Sequence, residues 1–175
     1  MIYILLPAYN EEKNLIKIFK KIKTIYNKKN KIVVVLVDDC STDRTMNLTK
    51  KRYNFKIIYI KHKKNSGLSL TLETGLKRIK KLAKHKDIII TLDSDNTHPI
   101  SLINKMVKKV ENGYDIVIAS RFVKGSKVNG LVYWRQLMSI AAKYLFKTIY
   151  PYKNLNDYTC NFRAYKFETL KLIFK

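Results

Sequence analysis

The run Ile88-Ile89-Ile90-Thr91-Leu92 leads straight into Asp93-Ser94-Asp95. A short apolar stretch this rich in β-branched residues predicts a strand buried on both faces, and the acidic triplet marks where it emerges. Working outward, the same grammar repeats. Ile2 to Leu6 and Lys31 to Val37 are apolar runs, and Phe55 to Ile60 and Asp87 to Leu92 give a third and fourth strand. Asp115 to Ala119 gives a fifth. Helical periodicity fills the gaps. Leu15, Ile18, Phe19, Ile22 and Ile25 share one side of a helix over 11–26, with lysines on the other. Ser41 or Thr42 is placed to cap a helix reaching about Arg52. Leu68 to Ala83 reads as another helix. Pro99 falls in the first turn of one that runs to about Asn112 and ends at Gly113. Strands alternating with helices predict an α/β fold: an open, mostly parallel, Rossmann-like sheet flanked by helices. No repeat or linker divides the chain, so residues 1–175 read as one domain.

In such sheets, ligands bind beyond the carboxyl ends of the strands. Those ends are polar here: Pro7-Ala8-Tyr9-Asn10-Glu11, Asp38-Asp39-Cys40-Ser41, Asp93-Ser94-Asp95 and Ser120-Arg121-Phe122. One carboxylate could cap a helix. Four polar loops at one edge point to a site. In extended backbone Asp93 and Asp95 would face one way and repel unless a cation lies between them. Oxygen ligands of this kind suit Mg²⁺ or Mn²⁺, completed by water and substrate phosphate. An Asx-turn before Pro99 is the plainer alternative. Asp38-Asp39 can accept hydrogen bonds from a base or ribose, or can serve only as a cap.

The chain of 175 residues is 46% hydrophobic and carries 36 Lys+Arg against 13 Asp+Glu, a net charge of +23. The field favours anionic partners. The lysines are scattered over nearly every expected helix, however, and no nucleic-acid-binding motif is present, so no nucleic acid is expected as partner. There is no Walker A or Gly-x-Gly-x-x-Gly pattern, which disfavours P-loop hydrolysis and dinucleotide binding. Cys40 and Cys160 suggest reduced thiols. No apolar run reaches membrane-spanning length, and the expected location is cytoplasmic. His62, His85 and His98 form no ligand spacing, and His98 beside the acidic loop reads as structural. The segment 131–150 sets Arg135, Ser139, Lys143 and Lys147 four residues apart on an otherwise broad apolar helix. Core packing is the first reading of that helix, and a membrane interface is its rival.

Taken in order, Pro7-Ala8-Tyr9-Asn10-Glu11, Val37-Asp38-Asp39-Cys40-Ser41-Thr42-Asp43, Asn65-Ser66-Gly67 and Leu92-Asp93-Ser94-Asp95 resemble a family-2 glycosyltransferase of GT-A fold. Ala119-Ser120-Arg121-Phe122-Val123-Lys124-Gly125, Trp134-Arg135-Gln136-Leu137-Met138-Ser139 and Asp157-Tyr158-Thr159-Cys160-Asn161-Phe162-Arg163 are similar to the dolichyl- or polyprenyl-phosphate mannose synthases. The resemblance implies inverting transfer of a hexose from a nucleotide sugar, GDP-mannose being favoured and a UDP-sugar open, to a polyprenyl monophosphate. It implies that Pro7, Tyr9, Glu11 and Asp39, with Asp93, bind the donor nucleotide. Asp93 and Asp95 would bind the metal, with Asp95, Arg121 and Arg135 catalytic. Arg121, Arg135 and Ser139 would take the acceptor phosphate. The protein would sit peripherally on the cytosolic face of a membrane, on anionic lipid or a membrane partner subunit. Two departures stand out. Thr97 occupies a place where relatives often carry Gln, a third ligand. The chain also stops at Lys175, where relatives continue, so a catalytic domain short at its C-terminus is expected. A truncated, non-catalytic relative, or transfer to a sugar hydroxyl with Asp157 as base, are the competing readings.

Overall fold

The computed structural model describes residues 1–25, 31–123, 133–152 and 155–173. The chain forms two compact units, Met1–Val117 with Phe162–Lys175, and Ile118–Asn161.

The first unit is built on a six-stranded sheet. Its strands are β1 (Ile2–Ala8), β2 (Ile32–Asp38), β3 (Lys56–Lys61), β4 (Ile88–Thr91), β5 (Ile116–Ile118) and β6 (Arg163–Lys166), in the order β3-β2-β1-β4-β6-β5. The pairs β1–β2, β2–β3 and β1–β4 are parallel, with Ile4 opposite both Val34 and Ile90. Every residue of β1, β2 and β4 is buried, which is why these strands read as unbroken apolar runs instead of alternating ones. The edge strand β3 is only partly covered.

Helix α1 is Glu12–Ile25, α2 is Gly67–Leu82, α3 is Ile103–Glu111 and α5 is Phe167–Ile173. Tyr3, Leu5, Val33, Val35, Val37 and Ile89 form one sheet face, packed against Ile79 of α2 and Phe167 and Leu170 of α5. Gly75 lets α2 ride directly on β1: a Cβ there would lie 2.1 Å from Leu5 Cδ1. On the other side α3 packs on β4 and β6, and α1 buries Leu15, Ile18, Phe19 and Ile22.

Two expectations about this unit need correction. No α-helix follows Ser41 and Thr42; instead a 3-10 segment covers Thr45–Lys50. The reason lies in the strand-end loops. Asp38 Oδ1 draws in the Ser41 N–H at 2.7 Å and Asn10 Oδ1 draws in the Thr42 N–H at 2.8 Å, so these residues serve the strand end. Asp43 instead receives the Thr45 N–H, at 2.9 Å. The sequence reading also stopped at five strands. Strand β6 pairs antiparallel with β4, Ile90 opposite Ala164, and its sequence Arg-Ala-Tyr-Lys carries almost no apolar signal.

In the second unit, helix α4 spans Tyr133–Ile149. It is not the core helix first expected. Leu137, Met138, Ile140, Tyr144, Leu145 and Ile149 are all exposed.

Candidate functional site

The carboxyl end of β2 carries Asp38 and Asp39, both buried. Asp38 accepts the Tyr59 hydroxyl at 2.5 Å, and burial together with this contact pushes the phenol well above its ordinary range. Asp39 is 4% exposed. Its Oδ1 accepts the Ser66 N–H at 2.9 Å and lies 2.7 Å from His62 Nδ1; its Oδ2 accepts the Gly67 N–H at 2.8 Å. Burial raises the carboxyl pKa, but the hydrogen bonds from His62, Ser66 and Gly67 outweigh it, and the net shift is downward. Asp39 is therefore an ionised acceptor that also fixes the start of α2.

The loop after β1 interlocks with the loop after β2. Asn10 adopts φ 56°, and its Oδ1 accepts the Thr42 N–H while its own N–H donates to Ser41 Oγ at 2.9 Å. The left-handed conformation is one that Asn tolerates. Of the residues expected to meet the nucleoside, Pro7 is buried within β1, and Tyr9 is 49% exposed. Glu11 is partly buried and accepts from Asn14 Nδ2 at 2.8 Å.

Strand β4 ends at Thr91, and Ser94 and Asp95 lie in a turn with Asn96 at φ 62°. Strand alternation therefore does not set how Asp93 and Asp95 face one another; the turn does. Asp93 Oδ2 lies 3.0 Å from His98 Nε2, and the His98 ring rests on buried Phe162 with centroids 5.1 Å apart. Asp95 Oδ1 accepts both the N–H and the hydroxyl of Thr97, at 3.0 and 2.7 Å. Thr97 thus orients Asp95. Lys21 of α1 donates to Asn96 Oδ1 at 2.7 Å and ties the turn down. Ser94 Oγ is buried and has no hydrogen-bond partner among the described residues. No group of three or more His, Cys, Asp or Glu side chains gathers to hold a metal among those residues. The turn offers two partly or fully exposed carboxylates, with the buried, unsatisfied Ser94 hydroxyl next to them in sequence. This all-oxygen donor set suits a hard divalent cation whose remaining ligands are phosphate and water.

In the second unit, Arg121 and Asp157 come together. Arg121 Nε and Nη2 donate to Asp157 Oδ2 and Oδ1 at 3.1 and 3.2 Å, and Nη2 also reaches Thr159 Oγ1 at 2.9 Å. The backbone N–H groups of Arg121 and Cys160 donate to the same carboxylate. Burial pushes the Asp157 pKa up, but its bonds to the Arg121 side chain and backbone bring it below the ordinary range. Ser139 and Lys143 of α4 are half-buried, and Lys143 Nζ lies 4.8 Å above the Phe122 ring. Arg135 falls in the first turns of α4, and its side chain lies outside the described residues.

The profile of the family described as Glycosyl transferase family 2 matches residues 3–174. The chain belongs to glycosyl transferase family 2. This family 2 member is 32% identical over 172 residues to a dolichol-phosphate mannosyltransferase of Pyrococcus furiosus, covering 96% of this chain and 47% of that protein. It is 26% identical over 188 residues to a UDP-N-acetylglucosamine–dolichyl-phosphate N-acetylglucosaminyltransferase of Methanococcus voltae, covering 99% of this chain and 72% of that one. The family 2 chain also superposes, with a TM-score of 0.64 and 20% identity, on glucosyl-3-phosphoglycerate synthase from Mycobacterium tuberculosis, a structure containing Mn²⁺ and UDP. That match covers 96% of this chain and 57% of the synthase, and it establishes the GT-A fold. The chain spans about half the length of the Pyrococcus relative.

Sequence reasoning singled out these strand-end loops but not their internal bracing. His62 lies 23 residues from Asp39, and Asp157 lies 36 from Arg121. No local spacing signals contacts that depend on the tertiary fold. His98, only five residues from Asp93, was legible as its neighbour, and the two side chains do meet.

Proposed function

We propose that this chain is the catalytic domain of a metal-dependent, inverting glycosyltransferase that moves a hexose from a nucleotide sugar to a polyprenyl or dolichyl monophosphate. The observation that carries the reading is the Asp93-Ser94-Asp95 turn at the carboxyl end of β4, with its exposed carboxylate oxygens and unpartnered Ser94 hydroxyl. Similarity to a dolichol-phosphate mannosyltransferase supports the acceptor class and favours mannose as the sugar and GDP as its carrier. A UDP-linked donor is the alternative, in keeping with the Methanococcus relative.

In this reading Asp93 and Asp95 hold Mg²⁺ or Mn²⁺, which as a Lewis acid stabilises charge developing on the donor diphosphate. Pro7, Tyr9, Glu11 and Asp39 hold the nucleoside. Arg121, Arg135 and Ser139 position the acceptor phosphate. A phosphate monoester is largely dianionic at neutral pH, its second pKa being about 6, so its oxygen attacks the anomeric carbon without a general base. The bond to the diphosphate breaks and the nucleoside diphosphate leaves. Transfer to a sugar hydroxyl would require a carboxylate base. Asp157, the candidate for that role, is fully buried and bound to Arg121, which favours the phosphate acceptor.

Among the described residues no helix is long and apolar enough to cross a membrane. The exposed apolar side chains of α4, with Lys143 and Lys147, supply a surface for contact with the bilayer that would hold a lipid acceptor.

The deciding experiment is calorimetry of the chain against UDP, GDP and their sugars, with and without Mn²⁺, followed by transfer to a polyprenyl phosphate. Metal-dependent binding and labelled lipid product are expected. Binding that ignores Mn²⁺, or turnover only on free sugars, would overturn the assignment.

A further inference from the structure

His62 takes no part in the roles assigned above, yet it is bonded on three sides. It follows β3, and its backbone N–H donates to Asp38 O at 2.8 Å. Its ring, with a side chain only 13% exposed, bridges two elements: Nδ1 lies 2.7 Å from Asp39 Oδ1, and Nε2 lies 3.0 Å from Thr74 Oγ1 on α2. An ionised carboxylate only accepts, so Nδ1 carries the proton. The Thr74 hydroxyl can donate to a neutral Nε2 or accept from a protonated one, and the bridge closes either way.

The effect on Asp39 is directional. A carboxylate has about four acceptor positions. His62 and Ser66 occupy Oδ1, while Oδ2 takes only the Gly67 N–H among the described residues. Rotation of the carboxylate is blocked from the Oδ1 side, and Oδ2 is left with one acceptor position at the carboxyl end of β2. A base or ribose presenting an N–H or O–H would find a single, pre-aimed acceptor there.

We propose that His62 is a positioning residue for the donor nucleoside: braced by Thr74, it fixes Asp39 so that Oδ2 is presented to the ligand. This rests on the reading of Asp39 as a nucleoside-binding residue. The Ser66 and Gly67 N–H groups hold the carboxylate only at the N-cap and first residue of α2, whereas His62 adds a second tie two turns further along the helix, at Thr74.

The test compares His62→Leu, His62→Asn and Thr74→Val, measuring calorimetric affinity for UDP and GDP with Mn²⁺ alongside the melting temperature. Asn places an N–H donor near the position of Nδ1, whereas Leu removes it. His62→Leu should weaken binding of whichever nucleotide the wild type takes by about tenfold or more, the scale of a hydrogen bond to a charged group. His62→Asn should restore affinity to within about threefold at a similar melting temperature, as expected for a replaced donor. Wild-type affinity in His62→Leu would overturn the proposal. So would equal losses in His62→Leu and His62→Asn that follow their melting temperatures, since that marks a role in folding only. If His62→Leu does not fold, Thr74→Val decides: weaker binding at unchanged melting temperature supports the bridge, and unchanged affinity overturns it. A wild-type chain that binds neither nucleotide would instead refute the donor-site reading, and the His62 role with it.

Discussion

Asp157 holds Arg121 by both carboxylate oxygens, at 3.1 and 3.2 Å, and is itself completely buried. The arginine is 28% exposed on its side chain. A buried carboxylate that receives a guanidinium and several backbone N–H groups is a structural anchor, because removing it strands all of those donors together. Its chemistry in this protein is therefore that of a clamp on Arg121, which holds the guanidinium in a fixed direction.

Asp157→Ala should destabilise the fold by about 3 kcal/mol, the scale for breaking one side of a buried ion pair. Asp157→Asn keeps the shape and part of the accepting capacity and should lose less. Urea unfolding of both variants checks the order. If Arg121 binds the acceptor phosphate, Asp157→Asn should also raise the KM for lipid phosphate while leaving the donor KM nearly unchanged.

Acid should unfold the protein through the same groups. The folded pKa values of Asp39 and Asp157 both lie below the ordinary carboxylate value. The stability they contribute is thus fully present above the unfolded value of about 3.9, and is lost as pH falls through the lower folded values. Urea midpoints measured from neutral pH down to about 3 should drop steeply at the acid end. In Asp157→Asn that drop should be shallower, because one of the linked protons is gone.

Much of this architecture was legible because the physics is local. The runs Ile88-Ile89-Ile90 and Ile32-Val33-Val34-Val35 are continuous because both sheet faces are covered, and the loops that follow them are polar because ligands and caps gather there. What escaped is what local pattern cannot encode. Strand β6 is mostly polar and runs antiparallel, so neither its composition nor a βαβ rhythm announces it. The expected helix after Ser41 yields to side-chain acceptors at the strand ends: Asp38 Oδ1 takes the Ser41 N–H and Asn10 Oδ1 takes the Thr42 N–H. Asp95 and Thr97 form the plain Asx-type turn weighed against a metal site, with one oxygen of Asp95 serving the turn.

Replacing Asp93 or Asp95 by Asn should lower transfer by about 100-fold or more if these side chains hold the cation that stabilises the leaving diphosphate. The same variants should lose the Mn²⁺ dependence of nucleotide binding in calorimetry, and EDTA should reproduce the loss in the wild type. Full activity in either variant would remove the turn from the catalytic centre.

Packing offers a test of the fold that is independent of function. Gly75 of α2 faces Leu5 of β1 so closely that an added methyl carbon would stand 2.1 Å from Leu5 Cδ1. Gly75→Ala gains helix propensity of about 1 kcal/mol. Overpacking of a close-packed core costs about 1–3 kcal/mol. The cost should win, and the melting temperature should fall. A stabilised variant would mean that α2 can lift from the sheet without loss.

Helix α4 supplies the last test, because its exposed surface is of the wrong kind for water. Met138, Tyr144, Leu145 and Ile149 are each more than half exposed, and Met138 and Leu145 lie two turns apart on one side. Clustered apolar side chains on a surface mark an interaction site. Lys143 and Lys147 on the same helix, and the net charge of +23, make an anionic bilayer the complementary partner. The chain should therefore sediment with vesicles of phosphatidylcholine and phosphatidylserine, more weakly as salt is raised and weakly with phosphatidylcholine alone. Combining Met138→Glu with Leu145→Glu should abolish sedimentation without lowering the melting temperature, since neither side chain is buried. If the double variant still sediments, lysines alone account for the binding. If it unfolds, α4 has a protein partner within the folded chain instead of a lipid one.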